Sequence, residues 1–166
     1  MFKKIAAVQP FTKTELIIWF ADGEARLYDA TQLMDERTGF DKLKDEQFFS
    51  AVKLAAEGYG VSWGNDLDLG CKEMYDNSTH IDVVDNESWR VIGEVVEARH
   101  GASLSQARLA SAAGVKQPVV ARLETGVNSP RLDTMLKVLT PLGKTLQVVN
   151  LRDVADADKL RALDTL

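Results

Sequence analysis

At 166 residues the chain is long enough for one ordinary domain or two small ones, and its 45% apolar and 27% charged content is that of a globular protein, not a fibrous or disordered one. A single cysteine, Cys71, excludes an internal disulfide framework, and with two histidines it leaves too few ligands for a transition-metal cage. The net charge of −5 argues against nucleic acid only as an average: residues 1–86 hold 9 Lys/Arg against 16 Asp/Glu (−7), residues 87–149 hold 8 against 5 (+3), and residues 150–166 hold 3 against 4 (−1). An acidic module joined to one that tolerates phosphate is therefore expected. No apolar run reaches the ~18 residues of a membrane span. The start, Met1-Phe2-Lys3-Lys4-Ile5, lacks the apolar core of a secretory signal. A cytoplasmic protein with no membrane partner and no cofactor follows.

The first half reads as α+β. Residues 5–8 form a short strand and 15–20 a stronger one, rich in β-branched and aromatic side chains. Asp22-Gly23 suits a type I′ hairpin turn, because both central positions then need positive φ, and 25–28 is the return strand. Residues 45–52 form a helix capped by Asp45 and buried on Phe48, Phe49 and Val52. Residues 53–56 and 60–63 make a second hairpin, and 68–75 a short helix with Asp68 as its cap. The Asp66-Leu67-Asp68-Leu69-Gly70 run lacks the spacing of a calcium loop, and no metal site is expected. Trp19, Trp63 and Trp89 are read as core.

That order of elements resembles the family catalogued as domain of unknown function 2442. The matching residues are Asp22-Gly23, Tyr28-Asp29, Leu43-Lys44-Asp45, Phe48, Val61-Ser62-Trp63, Asp68-Leu69 and Met74-Tyr75. The resemblance covers about residues 3–76 and implies a small antiparallel sheet with a helix (three strands, helix, two strands), but no activity. We take 1–76 as the first domain and the acidic, aperiodic stretch 77–87 as a linker.

From Ser88, a good cap, the period becomes helical, with Trp89, Ile92 and Val96 in one stripe. Helices follow at 105–113 and 117–125, with Gly114 between them free to take the left-handed conformation of a tight turn. Val115, Val120 and Leu123 point into the seam between those helices, and Gln117, Val119 and Arg122 point away. A fourth helix begins near Ser129-Pro130 with proline at its first position and turns Leu132, Met135, Leu136 and Leu139 inward. Residues 145–150 alternate like a strand, and the 151–166 tail is a weak amphipathic helix.

The strings Leu104-Ser105-Gln106, Leu109-Ala110, Gly114-Val115, Gln117-Pro118, Arg122-Leu123-Glu124 with Gly126, and Ser129-Pro130 closely resemble the Cro/CI-type (XRE) helix-turn-helix family. The resemblance covers about 88–145 and implies a C-terminal all-α, lambda-repressor-like DNA-binding domain over 88–150. It implies that Gln106 contacts backbone phosphate and that Gln117, Pro118, Val119 and Arg122 face the major groove. Asn128 and Arg131 then approach phosphates, and Arg99 pairs internally with Glu124. The chemistry fits: Gln117 can pair with adenine N6/N7, Arg122 can donate to guanine O6/N7, and Lys116 suits a phosphate. Two features depart from the family pattern. Lys116 sits where Ser or Thr usually caps the third helix, and Pro118 offers no donor. Arg108 reads as a solvated helix-face residue. Arg99 could instead touch DNA if the internal pair is not made.

The expected function is sequence-specific binding of double-stranded DNA, as a repressor and homodimer on a palindromic operator. The rival is an antitoxin that binds a protein toxin and represses its own operon, because several Cro/CI-type proteins ending in a strand like residues 144–149 are antitoxins. No nucleophile–base pair or phosphate-binding loop suggests an enzyme.

Overall fold

A computed structural model describes residues 3–64, 67–127 and 129–154, with backbone alone at Asp85 and Asn86. The chain divides into two compact units. The first runs up to Val83 and includes the described residues from Leu151; the second is Val84–Asn150. The fold is mixed α+β, an antiparallel sheet unit followed by an all-helical one.

In the first unit, β1 (Ile5–Pro10), β2 (Glu15–Phe20), β3 (Ala25–Asp29) and β7 (Ser78–Ile81) make an antiparallel sheet in the order β1-β2-β3-β7. The strands β4 (Lys53–Leu54), β5 (Gly60–Gly64) and β6 (Leu67–Gly70) form a second antiparallel sheet. Three short helices, α1 (Thr31–Glu36), α2 (Glu46–Ser50) and α3 (Cys71–Asp76), complete the unit. Strand β2 is buried on both sides, which is why its sequence is an unbroken apolar run. Leu16, Ile18 and Phe20 enter a core with Leu43, Phe49, Val61, Trp63, Leu69 and Met74. Ile17 enters a second cluster with Phe11, Ala25, Leu27 and Ile81, against which Trp19, Val83 and Leu151 pack. Trp63 stacks on Phe49 at 6.2 Å and donates its indole N–H to the Phe49 carbonyl at 2.9 Å. Asp45 caps α2 by accepting from Phe48 N–H at 2.7 Å.

Several expectations change. The first hairpin turn is a three-residue loop, not type I′. Among the described residues only Glu57 and Ser103 combine a side chain with positive φ, so Asp22 does not. In this turn positive φ falls on Gly23, at 90°, with Gly23 N–H donating to Phe20 O and Phe20 N–H to Glu24 O. The expected helix from Asp68 starts at Cys71; before it, Leu67 and Leu69 are buried and Asp68 is exposed, the alternation of a strand. The expected linker 77–87 is strand β7 and the start of a helix. Ser78-Thr79-His80-Ile81 has little strand character of its own, but β3 offers it a free edge, and Arg26 Nε bonds Ser78 Oγ at 2.9 Å. Cys71 is buried and its thiol donates to the Lys3 carbonyl at 3.1 Å; burial pushes its pKa up, against thiolate chemistry. Among the described residues no helix is long and apolar enough to cross a membrane, and no three His, Cys, Asp or Glu side chains cluster as metal ligands.

The second unit packs α4 (Val83–Gly101), α5 (Gln106–Ala113), α6 (Gln117–Glu124) and α7 (Leu132–Leu139) around Val95, Leu109, Ala110, Val120, Leu123, Met135, Val138 and Leu139. Helix α4 starts at Val83, five residues before Ser88. Trp89 is 54% exposed, not in the core, while Ile92 and Val95 are buried. Helix α7 begins two residues after Pro130, and Leu132 and Leu136 lie exposed while Met135, Val138 and Leu139 face inward. Residues 144–150 form no strand: they are exposed and have no ladder partner. The expected tail helix falls mostly outside the described residues, of which Leu151–Asp153 make one 3-10 turn.

Candidate nucleic-acid interface

Helices α5 and α6 are defined by their ends. Ser105 caps α5 by accepting from Arg108 N–H at 3.2 Å. At the other end Gly114, at φ 66° and ψ 30°, lets Gly114 N–H reach Ser111 O and Val115 N–H reach Ala110 O at 3.0 Å. That closure turns the chain into α6 within two residues. Lys116 stands at the N-cap of α6 and gives no side-chain cap, whereas Pro118 sits in the first turn, where a missing N–H costs nothing. Val120 and Leu123 on α6 are buried with Leu109 and Ala110 on α5.

That packing decides which side of α6 faces out. Gln117, Pro118 and Arg122 are exposed, and Ala121, at i+3 from Pro118 and i+4 from Gln117, lies between them. Val119, expected on this face, is half-buried because its position turns it toward the edge shared with Leu123. Ala121 was missed by sequence reading, although helical spacing from Gln117 places it there. Lys116, at the N-cap of α6, and Arg108, on α5, are both exposed. Arg131 is exposed at the N-cap of α7, 3.3 Å from Asp133, and Asn128 lies outside the described residues.

Beneath the exposed face runs a buried polar chain. Arg99, at the end of α4, is 8% exposed. Its Nε donates to Glu124 Oε1 at 2.6 Å and its Nη2 to Oε2 at 2.9 Å, a bidentate pair across α4 and α6. Its Nη1 also donates to Leu104 O at 2.9 Å, so the guanidinium is committed internally, as the pairing with Glu124 required. Gln106 Nε2 donates to Glu124 Oε2 at 2.8 Å, and Gln117 Nε2 donates to Gln106 Oε1 at 3.1 Å. Sequence reading placed Gln106 on phosphate alone; its bonds to Glu124 and Gln117 had no sequence signal, since they depend on how α5 and α6 cross.

The electrostatics follow. Burial acts to raise the Glu124 pKa, but its bonds from Arg99 and Gln106 outweigh that and hold the carboxyl below its usual value. Glu124 in turn raises the Arg99 pKa further. From residue 105 to 131 the sequence has four basic residues, Arg108, Lys116, Arg122 and Arg131, and one acid, Glu124, already neutralised inside. Among the described residues, Arg108, Lys116 and Arg122 have no carboxylate partner. A protein of net charge −5 thus presents a locally cationic face around one exposed helix.

Residues 97–149 match the family model described as Helix-turn-helix, and residues 5–80 match Protein of unknown function (DUF2442). A curated relative, an uncharacterized HTH-type transcriptional regulator of Haemophilus influenzae, is 48% identical over 62 residues, or 37% of this chain. The chain spans 63% of that relative's length. Among solved structures, a toxin–antitoxin module from Streptococcus pneumoniae is 42% identical, covering 50% of this chain and 82% of that one, with a TM-score of 0.37. A candidate DNA-binding protein from Nitrosomonas europaea is 21% identical, covering 84% of this chain and 86% of that one, with a TM-score of 0.42.

Proposed function

We propose that the chain, whose residues 97–149 match the Helix-turn-helix family model and whose residues 5–80 match Protein of unknown function (DUF2442), is a sequence-specific DNA-binding transcriptional regulator of the Cro/CI (XRE) type acting as a homodimer. The observation that carries this reading is the outward face of α6: exposed Gln117, Pro118 and Arg122 with half-buried Ala121 between them, near Lys116, which among the described residues has no carboxylate partner, and with the local acid turned inward. The 48% identity of a 62-residue stretch of the chain to an uncharacterized HTH-type transcriptional regulator agrees with it.

In this mechanism α6 enters the major groove. Gln117 spends one amide hydrogen on Gln106, which leaves its other hydrogen for adenine N7 and its Oε1 to accept from N6. Gln106, anchored on Glu124, keeps a second hydrogen for a backbone phosphate. The reading amide is thereby oriented through Gln106 and Glu124 from the buried Arg99, so little side-chain entropy remains to be lost on binding. Arg122 donates to guanine, and Lys116 and Arg131 neutralise phosphates. One recognition helix reads few bases; two copies on half-sites about 34–36 Å apart supply operator-level specificity.

Titrating the duplex that lies upstream of the chain's own gene against a scrambled duplex, at several salt concentrations, tests this reading. We expect tighter binding to the native duplex by about 10³-fold or more and a steep loss with salt on both. Equal affinity for the two refutes sequence-specific regulation at that site.

Residues 144–150 favour a second reading. This strand-forming sequence is exposed, with Val148 fully so, and can pair with a protein partner's sheet edge. In that case the chain is an antitoxin, and a neighbouring small protein co-purifies with it and is released when Val148 becomes proline.

A further inference from the structure

Trp89 lies outside the helix-turn-helix match, near the start of α4, and more than half of it faces solvent. Its indole nevertheless has a defined seat. Gly126, just past the end of α6, has φ +65°, and a Cβ there would stand 2.6 Å from Cη2, 2.9 Å from Cζ3 and 3.1 Å from Cζ2 of Trp89. A side chain at this position would have to push the ring aside, so the benzene edge of the indole rests on the bare Cα of Gly126. Only glycine meets both demands, the left-handed backbone and the missing side chain. The end of α6 is thus held by α4 twice: Arg99 bonds Glu124, and Trp89 covers Gly126.

The turn under the indole joins α6 to Arg131 and α7. We infer that Trp89 is a positioning residue for DNA binding, one that fixes the turn at Gly126 so that Arg131 and the end of α6 meet the phosphate backbone together. This rests on the DNA-binding reading above. The indole is more than half exposed, yet its benzene edge lies against Gly126, directly after α6.

The test compares Trp89→Ala, Trp89→Phe and Gly126→Ala with the wild type in the full chain. Binding to operator and random duplexes is measured against salt, and tryptophan emission is recorded without DNA. Trp89→Ala should weaken both duplexes by the same factor and make the log–log salt slope shallower by about one, the signature of a lost phosphate contact. Trp89→Phe keeps an aromatic edge on Gly126 and should restore most of the slope. Gly126→Ala should reproduce Trp89→Ala and shift the emission as the ring is displaced. If Trp89→Ala does not fold, Trp89→Leu carries the same comparison. An unchanged slope in a folded Trp89→Ala or Trp89→Leu chain, beside a steep wild type, overturns the positioning role alone. A wild type that binds no duplex overturns the DNA-binding reading and this role with it.

Discussion

Breaking the Arg99–Glu124 pair should destabilise the helical unit strongly and unequally from its two sides. Both side chains are nearly out of water, 10% and 8% exposed, so removing either leaves a buried charge without its counterion. Such a loss costs about 3–5 kcal/mol. Glu124→Ala should lie at the upper end, because a guanidinium cannot shed its proton and Arg99 keeps only the Leu104 carbonyl and His100 beside it. Arg99→Ala should lie at the lower end, because the stranded Glu124 keeps its bond from Gln106 and can take up a proton. With a urea slope of about 1 kcal/mol per molar for a small unit, the midpoints should fall by about 3 M or more. Urea titration followed by far-UV ellipticity measures this, and the joint replacement Arg99→Leu with Glu124→Met should recover most of the loss. A coupling near zero would refute the claim that this pair frames the two helices, and equal single losses would refute the argument for their asymmetry.

Three further outcomes follow. Gln117→Ala and Arg122→Ala should each cost about 1–3 kcal/mol on the preferred duplex and almost nothing on random DNA, measured by fluorescence anisotropy; equal losses on both would mean phosphate contact only. Ser105→Ala should lower stability by about 1 kcal/mol through loss of the α5 cap, read from the urea midpoint, with Ser105→Gly milder. The Glu124 pKa is lowered by folding, so its charged form stabilises the fold at neutral pH, and that contribution disappears as pH falls through the lowered value. Wild type and Glu124→Gln should therefore differ most at pH 7, begin to approach one another in thermal midpoint as the pH drops past the usual carboxylate value of about 4.3, and meet only below the lowered value.

Local chemistry made much of this legible beforehand. Asp45 and Ser105 cap their helices as their residue type dictates, and Gly114 takes the left-handed turn that only glycine enters freely. Strand β2 was readable because apolar, β-branched side chains follow one another without interruption. What failed was whatever depended on a partner distant in sequence. Strand β7 exists because β3 has an open edge, not because Ser78-Thr79-His80-Ile81 prefers extension. Residues 145–149 prefer extension strongly and form no strand, because no edge receives them.

The interface divides the same way. The outward positions of Gln117 and Arg122 follow from helical period once Val120 and Leu123 are taken as core. The bonds from Gln117 to Gln106 and from Gln106 to Glu124 join residues 11 and 18 positions apart, and their geometry is set by the crossing of α5 and α6. Trp89 was misplaced because a helical stripe identifies apolar spacing but not whether a neighbour covers it. Here Gly126 lies against the benzene edge of the ring, and more than half of the residue stays exposed.

The most direct test of α6 as a reading helix is selection of duplexes from a random pool by the purified full chain. Two inverted half-sites with centres about 10 base pairs apart should be enriched, as expected for a two-fold pair of recognition helices. The same selection with Gln117→Ala and Arg122→Ala should relax the preference at one base position in each half-site. Recovery of a pool with no shared sequence, from a chain that still binds DNA in a salt-dependent way, would contradict sequence-specific recognition by α6.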